Sequence, residues 1–265
     1  NGTAVELSDI ESGTGGFVIN GVSTYDEAGY SVSGAGDVDG DGFGDLIVGA
    51  PNDDPNGSSS GASYVVFGKS NGTAVDLSSV EAGSGGYVIK GVSADDNSGW
   101  SVSSAGDMNG DGYDDLFIGA PNDDPNGSSS GASYVVFGSN SIVNNNQNFG
   151  TTVDLSTVQA GTGGFVINGV SSGDNSGYSV SGAGDVNGDG FEDLIIGAVG
   201  DDPNGSYSGA SYVVFGKSNG TAVDLSAVEA GTGGFVVKGV SADDNSGHSV
   251  SGAGDVNGDG FDDLI

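Results

Sequence analysis

A nine-residue aspartate-rich segment occurs four times in the sequence. Its pattern is Asp-x-(Asp/Asn)-x-Asp-Gly-x-x-Asp, and the first copy begins at Asp37, with Gly42 after its third acidic residue. Calcium in proteins takes about six to eight oxygen ligands from side chains and backbone carbonyls. A glycine allows the sharp reversal that a short loop needs in order to wrap an ion. The pattern therefore predicts calcium-binding loops, about one Ca2+ per repeat and up to four in the chain.

Five positions of each copy supply the candidate metal ligands, namely the side chains at positions one, three, five and nine and the backbone carbonyl at position seven. In chain order these residues are Asp37, Asp39, Asp41, Phe43, Asp45; Asp107, Asn109, Asp111, Tyr113, Asp115; Asp185, Asn187, Asp189, Phe191, Asp193; and Asp255, Asn257, Asp259, Phe261, Asp263. The first copy alone has an aspartate at position three. If ligand charge governs affinity, we expect the first loop to bind calcium most tightly.

Two other interpretations fit part of this pattern. An EF-hand has a bidentate glutamate at position twelve and continues as a helix, but position twelve here is Val48, Ile118 or Ile196, inside an apolar run. Hairpin turns favour the same Asn-Gly and Asp-Gly pairs, yet a turn does not require carboxylates at positions one, five and nine of every copy. We therefore expect an EF-like loop carried by a β-hairpin.

The loops belong to a longer repeat. Their leading aspartates lie 70, 78 and 70 residues apart, and the aromatic residues that open the segments Phe/Tyr-Val-(Ile/Val) keep the same spacing. We divide the chain into repeat 1 (1–70), repeat 2 (71–148), repeat 3 (149–218) and a partial repeat 4 (219–265). Repeat 2 is longer because of a polar insertion near residues 139–149, which is typical of a surface loop.

Each full repeat contains four short apolar segments bounded by turn residues. In repeat 2 these predict strands over residues 87–92, 101–105, 116–120 and 133–137. No segment has a helical period, and we assign residues 75–80 to a loop. Four antiparallel strands at fixed spacing suit a propeller blade better than a solenoid coil. We predict an all-β, β-propeller-like array of four-stranded antiparallel blades, one blade per repeat of about 70 residues.

Composition limits the partners. The chain has 37 acidic residues against four basic ones and a formal charge of −33, which argues against nucleic acid and predicts that folding is linked to bound cations. Glycine is 54 of 265 residues, as expected for an architecture dense in tight turns. No apolar run is long enough for a membrane helix, so we expect no membrane insertion. Cysteine is absent, which excludes disulfides and thiolate metal sites.

With its aspartate-rich loops, the sequence resembles the FG-GAP repeats of integrin α-subunit β-propellers and their bacterial relatives. Gly49-Ala50-Pro51 and Gly119-Ala120-Pro121 match the Gly-Ala-Pro element, whereas Gly197-Ala198-Val199 departs from it. The Phe-Gly element is also altered, and it reads Ala28-Gly29 or Ser-Gly at Ser98, Ser176 and Ser246. The resemblance implies a propeller with calcium in hairpin loops on one face and partner binding at the loops that connect blades. It also implies a secreted, cell-surface or extracellular-matrix location.

Three further sequence features can be explained either by a purely structural role or by a functional one. His248 occupies the place of Tyr30, Trp100 and Tyr178, and we expect a packing role. The acidic loops at residues 52–54, 122–124 and 201–203 are expected to be solvated turns rather than second cation sites. Asparagines that could carry N-glycans, if the host modifies them, occur at Asn1, Asn56, Asn71, Asn126, Asn204 and Asn219.

Near-identical repeats suit assembly better than catalysis, because an active site needs one unit to differ from the others. Our leading hypothesis is an extracellular calcium-binding structural or adhesive protein, which contacts other copies of itself or another surface or matrix protein, in a closed ring or an open filament. The alternative is a propeller that binds glycans or a protein through Trp100 and its tyrosine counterparts. The accessory region of a hydrolase is disfavoured, and we expect no enzyme activity.

Overall fold

The structure is a computed structural model that describes residues 5–139 and 152–265. The polar insertion predicted near residues 139–149, apart from Ser139, lies outside the described residues, as does the boundary predicted between repeats 2 and 3.

Short strands dominate the described chain. In chain order they are β1 (Ile19–Asn20), β2 (Ser31–Gly36), β3 (Asp45–Ala50), β4 (Ala62–Val66), β5 (Val75–Asp76), β6 (Gly86–Lys90), β7 (Ser101–Gly106), β8 (Asp115–Ala120), β9 (Ala132–Val136), β10 (Thr152–Asp154), β11 (Gly164–Asn168), β12 (Ser176–Gly184), β13 (Asp193–Ala198), β14 (Ala210–Val214), β15 (Val223–Asp224), β16 (Gly234–Lys238), β17 (Gly252–Gly254) and β18 (Asp263–Leu264). The helices are α1 (Leu7–Glu11), α2 (Leu77–Glu81), α3 (Leu155–Gln159) and α4 (Leu225–Glu229). None of these four helices could cross a membrane, since each is only five residues long.

Three sets of four antiparallel strands repeat along the chain, and β10 and β15 add a parallel fifth strand at the edge of the first two sheets. The orders of the three sets are β2-β3-β4-β6, β7-β8-β9-β11 and β12-β13-β14-β16. We call them blades 1, 2 and 3, and the hairpin β17–β18 is the inner part of blade 4. The second and third strands of a blade are almost entirely buried, because apolar residues on both faces meet the neighbouring blades. The predicted fold class is confirmed: the chain is an all-β array of propeller blades.

The blades and the sequence repeats are out of phase. The strand predicted at residues 87–92 exists as β6, but it pairs with β4 of blade 1 rather than with the strands of repeat 2. In the same way β11 and β16 complete the blades before them. The grouping of all four strands within one repeat is therefore wrong, because spacing alone does not reveal which neighbour a strand pairs with.

The assignment of residues 75–80 to a loop is also wrong, because these residues form a short strand and a helical turn. Val75–Asp76 forms β5, which pairs in parallel with β1, and Leu77–Glu81 forms the single turn α2. Leu77 and Val80 lie three residues apart on one face of that turn and are buried. A five-residue helix is too short to display a period, so the sequence pattern did not indicate it. The same arrangement recurs at β10–α3 and β15–α4.

Neighbouring blades meet along their inner strands β2, β7, β12 and β17. The Ser31 hydroxyl accepts a hydrogen bond from the Val102 amide at 3.0 Å, and Ser101 does the same for Val180. Contact between blades buries Val102 and Val180, which are 5% and 6% exposed, while Val32 on the outer face of blade 1 is 65% exposed. The inner strands therefore form the seam that joins the blades.

Close backbone approach at this seam requires glycine. A Cβ atom built on Gly49, Gly119 or Gly197 would overlap the carbonyl oxygen of a glycine on the next blade, namely Gly99, Gly177 or Gly247. Protein interiors are densely packed and tolerate such overlap poorly.

We expect Gly119→Ala to lower the free energy of unfolding by about 1–3 kcal/mol, because the new methyl group pushes blades 2 and 3 apart. Gly34→Ala is the matched control, since its Cβ would meet no atom within 4 Å. Denaturant unfolding of both variants measures the difference. Equal stability of the two variants would contradict this account of the seam.

Candidate metal centre

Each aspartate-rich segment connects the first strand of a blade to its second strand. The first segment leaves β2, turns at Gly42 (φ +91°) and enters β3 at Asp45, its ninth position. The later segments join β7 to β8, β12 to β13 and β17 to β18. Position twelve lies inside β3, β8 and β13, so the helix that an EF-hand requires is absent from these three positions and the expected hairpin placement is confirmed.

The aspartate at position one organises the loop. Asp37 Oδ1 accepts a hydrogen bond from the Asp41 amide at 3.0 Å, and Asp37 Oδ2 accepts one from Gly42 at 2.9 Å. Asp107, Asp185 and Asp255 accept the equivalent pair of bonds in their loops. These bonds curl the backbone of each loop around its first aspartate.

The position-three side chain of loop 1 lies beside the side chains at positions one and nine. In loop 1 one carboxylate oxygen from each of Asp37, Asp39 and Asp45 lies within 4.8 Å of the others, which is close enough for one ion to touch all three. The equivalent trio in the other loops contains the amide of Asn109, Asn187 or Asn257. Loop 1 thus has the densest negative charge among the four loops.

Position five has a local role. Asp41 Oδ1 accepts a hydrogen bond from the Phe43 amide at 2.8 Å, and Asp41 is exposed and outside the trio. Asp111, Asp189 and Asp259 make the same bond to position seven. Coordination by these four carboxylates and by the carbonyls of Phe43, Tyr113, Phe191 and Phe261 stays a prediction.

Position nine carries the buried charge. Asp45 and Asp115 are 2% and 0% exposed, and Asp193 is 0% exposed. Burial raises the pKa of Asp45 to about 6, of Asp115 to about 7 and of Asp193 to about 6. Each of these carboxylates accepts two backbone hydrogen bonds, which only partly offset the loss of water.

No basic side chain balances these carboxylates within the described residues. The single ion pair there joins Lys238 Nζ to Glu229 Oε1 at 3.8 Å, away from the loops. Lys69 and Lys217 lie over the rings of Phe17 and Phe165 instead. Buried charge is normally paired or bound to metal, so the position-nine aspartates need either a proton or a bound cation.

An orphaned polar atom points the same way. The hydroxyl of Tyr87, a residue 1% exposed, has no hydrogen-bond partner among the described residues. Burial raises the pKa of Tyr87 above its usual range, and the nearby Asp45, Asp115 and Asp39 raise it further. A buried hydroxyl beside carboxylates is normally satisfied by a water or by the ligand shell of an ion. The donor set, the crowding of oxygens and this unmet donor all fit a hard divalent cation.

Family comparison identifies the repeat that carries these loops. The model of the FG-GAP repeat matches residues 28–66, 98–136 and 176–214. The chain contains three FG-GAP repeats. A relative, integrin alpha-PS2 of Drosophila melanogaster, is 36% identical over 128 residues, which cover 46% of this chain and 8% of that protein. The matched region is thus a small part of that much longer relative.

Each matched FG-GAP segment coincides with the first three strands of a blade, which include the aspartate-rich loop. The glycine of the Gly-Ala-Pro element (Gly49, Gly119) lies against the glycine of the altered Phe-Gly element of the next blade (Gly99, Gly177). Gly197 makes the same contact with Gly247 although Val199 replaces the proline. The two family elements therefore meet across the seam between blades.

The second set of acidic loops, at residues 51–61 and their counterparts, connects β3 to β4 and so lies at the opposite end of the blade. Asp54 and Asp124 accept turn hydrogen bonds from Ser59 and Ser129 at 2.6 Å, as the turn hypothesis expects. Asp123, however, is only 8% exposed and accepts the hydroxyl bond of Tyr134 at 2.5 Å. The expectation of fully solvated turns is thus wrong for Asp123.

Sequence reasoning also missed residues that lie beside the predicted ligands. Tyr87 replaces the phenylalanine found at Phe17, Phe165 and Phe235, and the position-eight residue Asp114 reaches the neighbouring loop. The substitution of Tyr87 within an otherwise apolar position was a visible signal. The role of Asp114 was not visible, because it depends on how blades meet.

Without bound cations, the raised pKa values of the position-nine aspartates should make the stability of the fold depend on pH. Since the folded-state pKa of Asp45, Asp115 and Asp193 exceeds the ordinary value of 3.8, the folded state binds protons more tightly than the unfolded state. The free energy of unfolding then falls as pH rises from about 4 to about 7. Cation-free protein should melt at a higher temperature at about pH 5 than at about pH 8. Saturating calcium should weaken or reverse that trend, whereas a cation-free melting temperature independent of pH would contradict the assignment.

Proposed function

We propose that this FG-GAP repeat chain is an extracellular calcium-binding structural or adhesive module. Calcium in the aspartate-rich loops stiffens the blades and supports assembly or contact with another surface or matrix protein. The observation that carries the proposal is the set of buried position-nine aspartates, which no basic side chain balances in the described chain. A bound divalent ion would supply the compensating charge, while the loop residues supply oxygen ligands and hold them in place.

The proposal assigns one ion to each loop and the highest affinity to loop 1. In that loop the trio of Asp37, Asp39 and Asp45 contains three carboxylates. More ligand charge generally tightens calcium binding in loops of this kind. Asn109 occupies the same position in loop 2. The charge can therefore be removed from loop 1 and added to loop 2 by exchanging aspartate and asparagine at this position.

Calorimetric calcium titration of the full chain tests this assignment. Asp39→Asn should weaken the tightest site, and Asn109→Asp should strengthen a second one, each roughly tenfold. Chelation should also lower the melting temperature of the wild type, because calcium binds the folded state preferentially. Exchanges that leave every constant unchanged would refute the role of position three. A melting curve that chelator does not shift would refute the structural role of calcium.

The extracellular location rests on similarity. The relative named integrin alpha-PS2 and the FG-GAP repeats favour a cell-surface or secreted setting.

We expect N-glycans at fewer asparagines than the sequence motifs suggest. The side-chain amides of Asn56, Asn126 and Asn204 each donate a hydrogen bond at 2.7 Å to a backbone carbonyl, so a glycan there would break that contact. Within the described parts of the chain, Asn71 and Asn219 form hydrogen bonds only through their side-chain oxygens, as acceptors in the turns, which leaves their amide nitrogens available.

A second candidate function is ligand binding at an aromatic row. Tyr30, Trp100, Tyr178 and His248 contact one another from blade to blade, with ring centroids 4.6, 5.7 and 5.1 Å apart and ring planes tilted by 48°, 50° and 53°. Tyr30 is 49% exposed, and a continuous row of partly exposed rings offers a face to a glycan or a protein. The packing role expected of His248 agrees with its tilted ring contact with Tyr178. We assign no catalytic activity to the chain, because equivalent residues recur in every repeat.

A further inference from the structure

The eighth residue of a loop, which is outside the predicted ligand set, reaches the loop of the preceding blade. Asp114 Oδ2 accepts a hydrogen bond from the Asp37 amide at 2.8 Å, across 77 residues of sequence. The Asp114 amide in turn donates to the Asp37 carbonyl at 3.4 Å. Loop 2 therefore holds both backbone groups of the residue that organises loop 1.

The same contact recurs between loops 3 and 4. Asp262 Oδ2 accepts a hydrogen bond from the Asp185 amide at 2.9 Å, and the Asp262 amide donates to the Asp185 carbonyl at 3.4 Å. Because the contact recurs in two separate blade pairs with nearly identical distances, it is a regular structural feature of this repeat.

Ring contacts accompany these bonds. A Cβ built on Gly40 would lie 2.5 Å from Tyr113 Cε1, and one on Gly188 would lie 2.5 Å from Phe261 Cε1. The position-seven ring of one loop therefore rests directly on the backbone of the loop before it. Positions seven and eight move together, so the ring and the carboxylate form one connection between loops.

The pair formed by loops 2 and 3 differs. Glu192 occupies position eight there, and the side-chain Cγ of Glu192, rather than its carboxylate, is the atom nearest to a Cβ built on Gly106, at 2.8 Å. In the parts of the chain that are described, no hydrogen bond joins Glu192 to the Asp107 amide. The ring of Phe191 also lies farther away, 4.0 Å from a Cβ built on Gly110. The chain thus contains two tight loop pairs and one loose pair.

We propose that Asp114 and Asp262 are positioning residues for the loop of the preceding blade, so that loops 1 and 2, and loops 3 and 4, bind calcium cooperatively. The inference rests on the proposed calcium function. Binding in loop 2 fixes Asp115 and the Tyr113 carbonyl, and Asp114 lies between these two ligands. An ordered Asp114 then holds Asp37 in its binding position, so loop 1 loses less conformational freedom when it binds its own ion. Such coupling must be reciprocal.

Calcium titration of the full chain in competition with a chromophoric chelator tests the coupling. We expect Asp114→Ala to lower one affinity roughly tenfold, because a hydrogen bond to a charged group is lost. Asp114→Asn keeps an acceptor oxygen and should lose less. Glu192→Ala is the matched control in the loose pair and should change every constant less than about twofold.

Reciprocity separates coupling from simple structural damage. Asp37→Ala should weaken calcium binding by loop 2, and that effect should vanish in the Asp37→Ala/Asp114→Ala double variant. Circular dichroism of the calcium-loaded variants verifies folding. If Asp114→Ala does not fold, Asp262→Ala applies the same test to loops 3 and 4, where the contact is nearer the end of the described chain.

The outcomes are distinguishable. Unchanged constants in folded Asp114→Ala and Asp262→Ala would overturn the coupling and leave calcium binding in place. A wild-type chain that binds no calcium would overturn both the coupling and the proposed function. A selective loss in these two variants, with reciprocity between Asp37 and Asp114, would support the coupling.

Discussion

Burial of carboxylates without basic partners is the constraint on which the structure depends. Asp45, Asp115 and Asp193 begin the second strand of their blades and are almost inaccessible to solvent. Each ties its own loop to the end of the third strand through two backbone hydrogen bonds. An uncompensated charge at this place would weaken the strands that it connects. The proposed cation site in the loop and the packing of the blade therefore share the same buried carboxylates.

The seam between blades adds a second layer to the same arrangement. Glycines such as Gly119 let the inner strands approach until Val102 and Val180 are buried, and that approach brings successive aspartate-rich loops into contact. Loops that are about 70 residues apart in sequence become neighbours in space. Because successive blades share apolar contacts as well as touching loops, a cation bound in a loop is expected to affect both loop geometry and blade packing.

The sequence predicted the all-β fold and the placement of the strands in repeat 2 almost to the residue, because short apolar runs between turn residues carry that signal. It failed at residues 75–80, where burial of Leu77 and Val80 stabilises a helical turn too short to show a period. It also assigned β6 to the wrong blade, since pairing is decided in three dimensions.

For the candidate site, the spacing of Asp37, Asp39 and Asp45 was enough to predict that their oxygens converge. The contributions of Tyr87 and Asp114 depend on contacts between segments distant in sequence, which no local pattern contains. Local chemistry was therefore visible in the sequence, whereas the connections between loops required the structure.

Mass spectrometry of the intact folded chain, sprayed from a volatile buffer near neutral pH after exposure to calcium, tests the central claim most directly. The account predicts species with bound calcium, up to one ion for each of the four loops, which disappear on acidification. Each of the three single variants Asp45→Ala, Asp115→Ala and Asp193→Ala should bind one calcium ion fewer than the wild type. A folded chain that retains no calcium, or whose ion count these replacements leave unchanged, would contradict the claim that cations balance the buried aspartates.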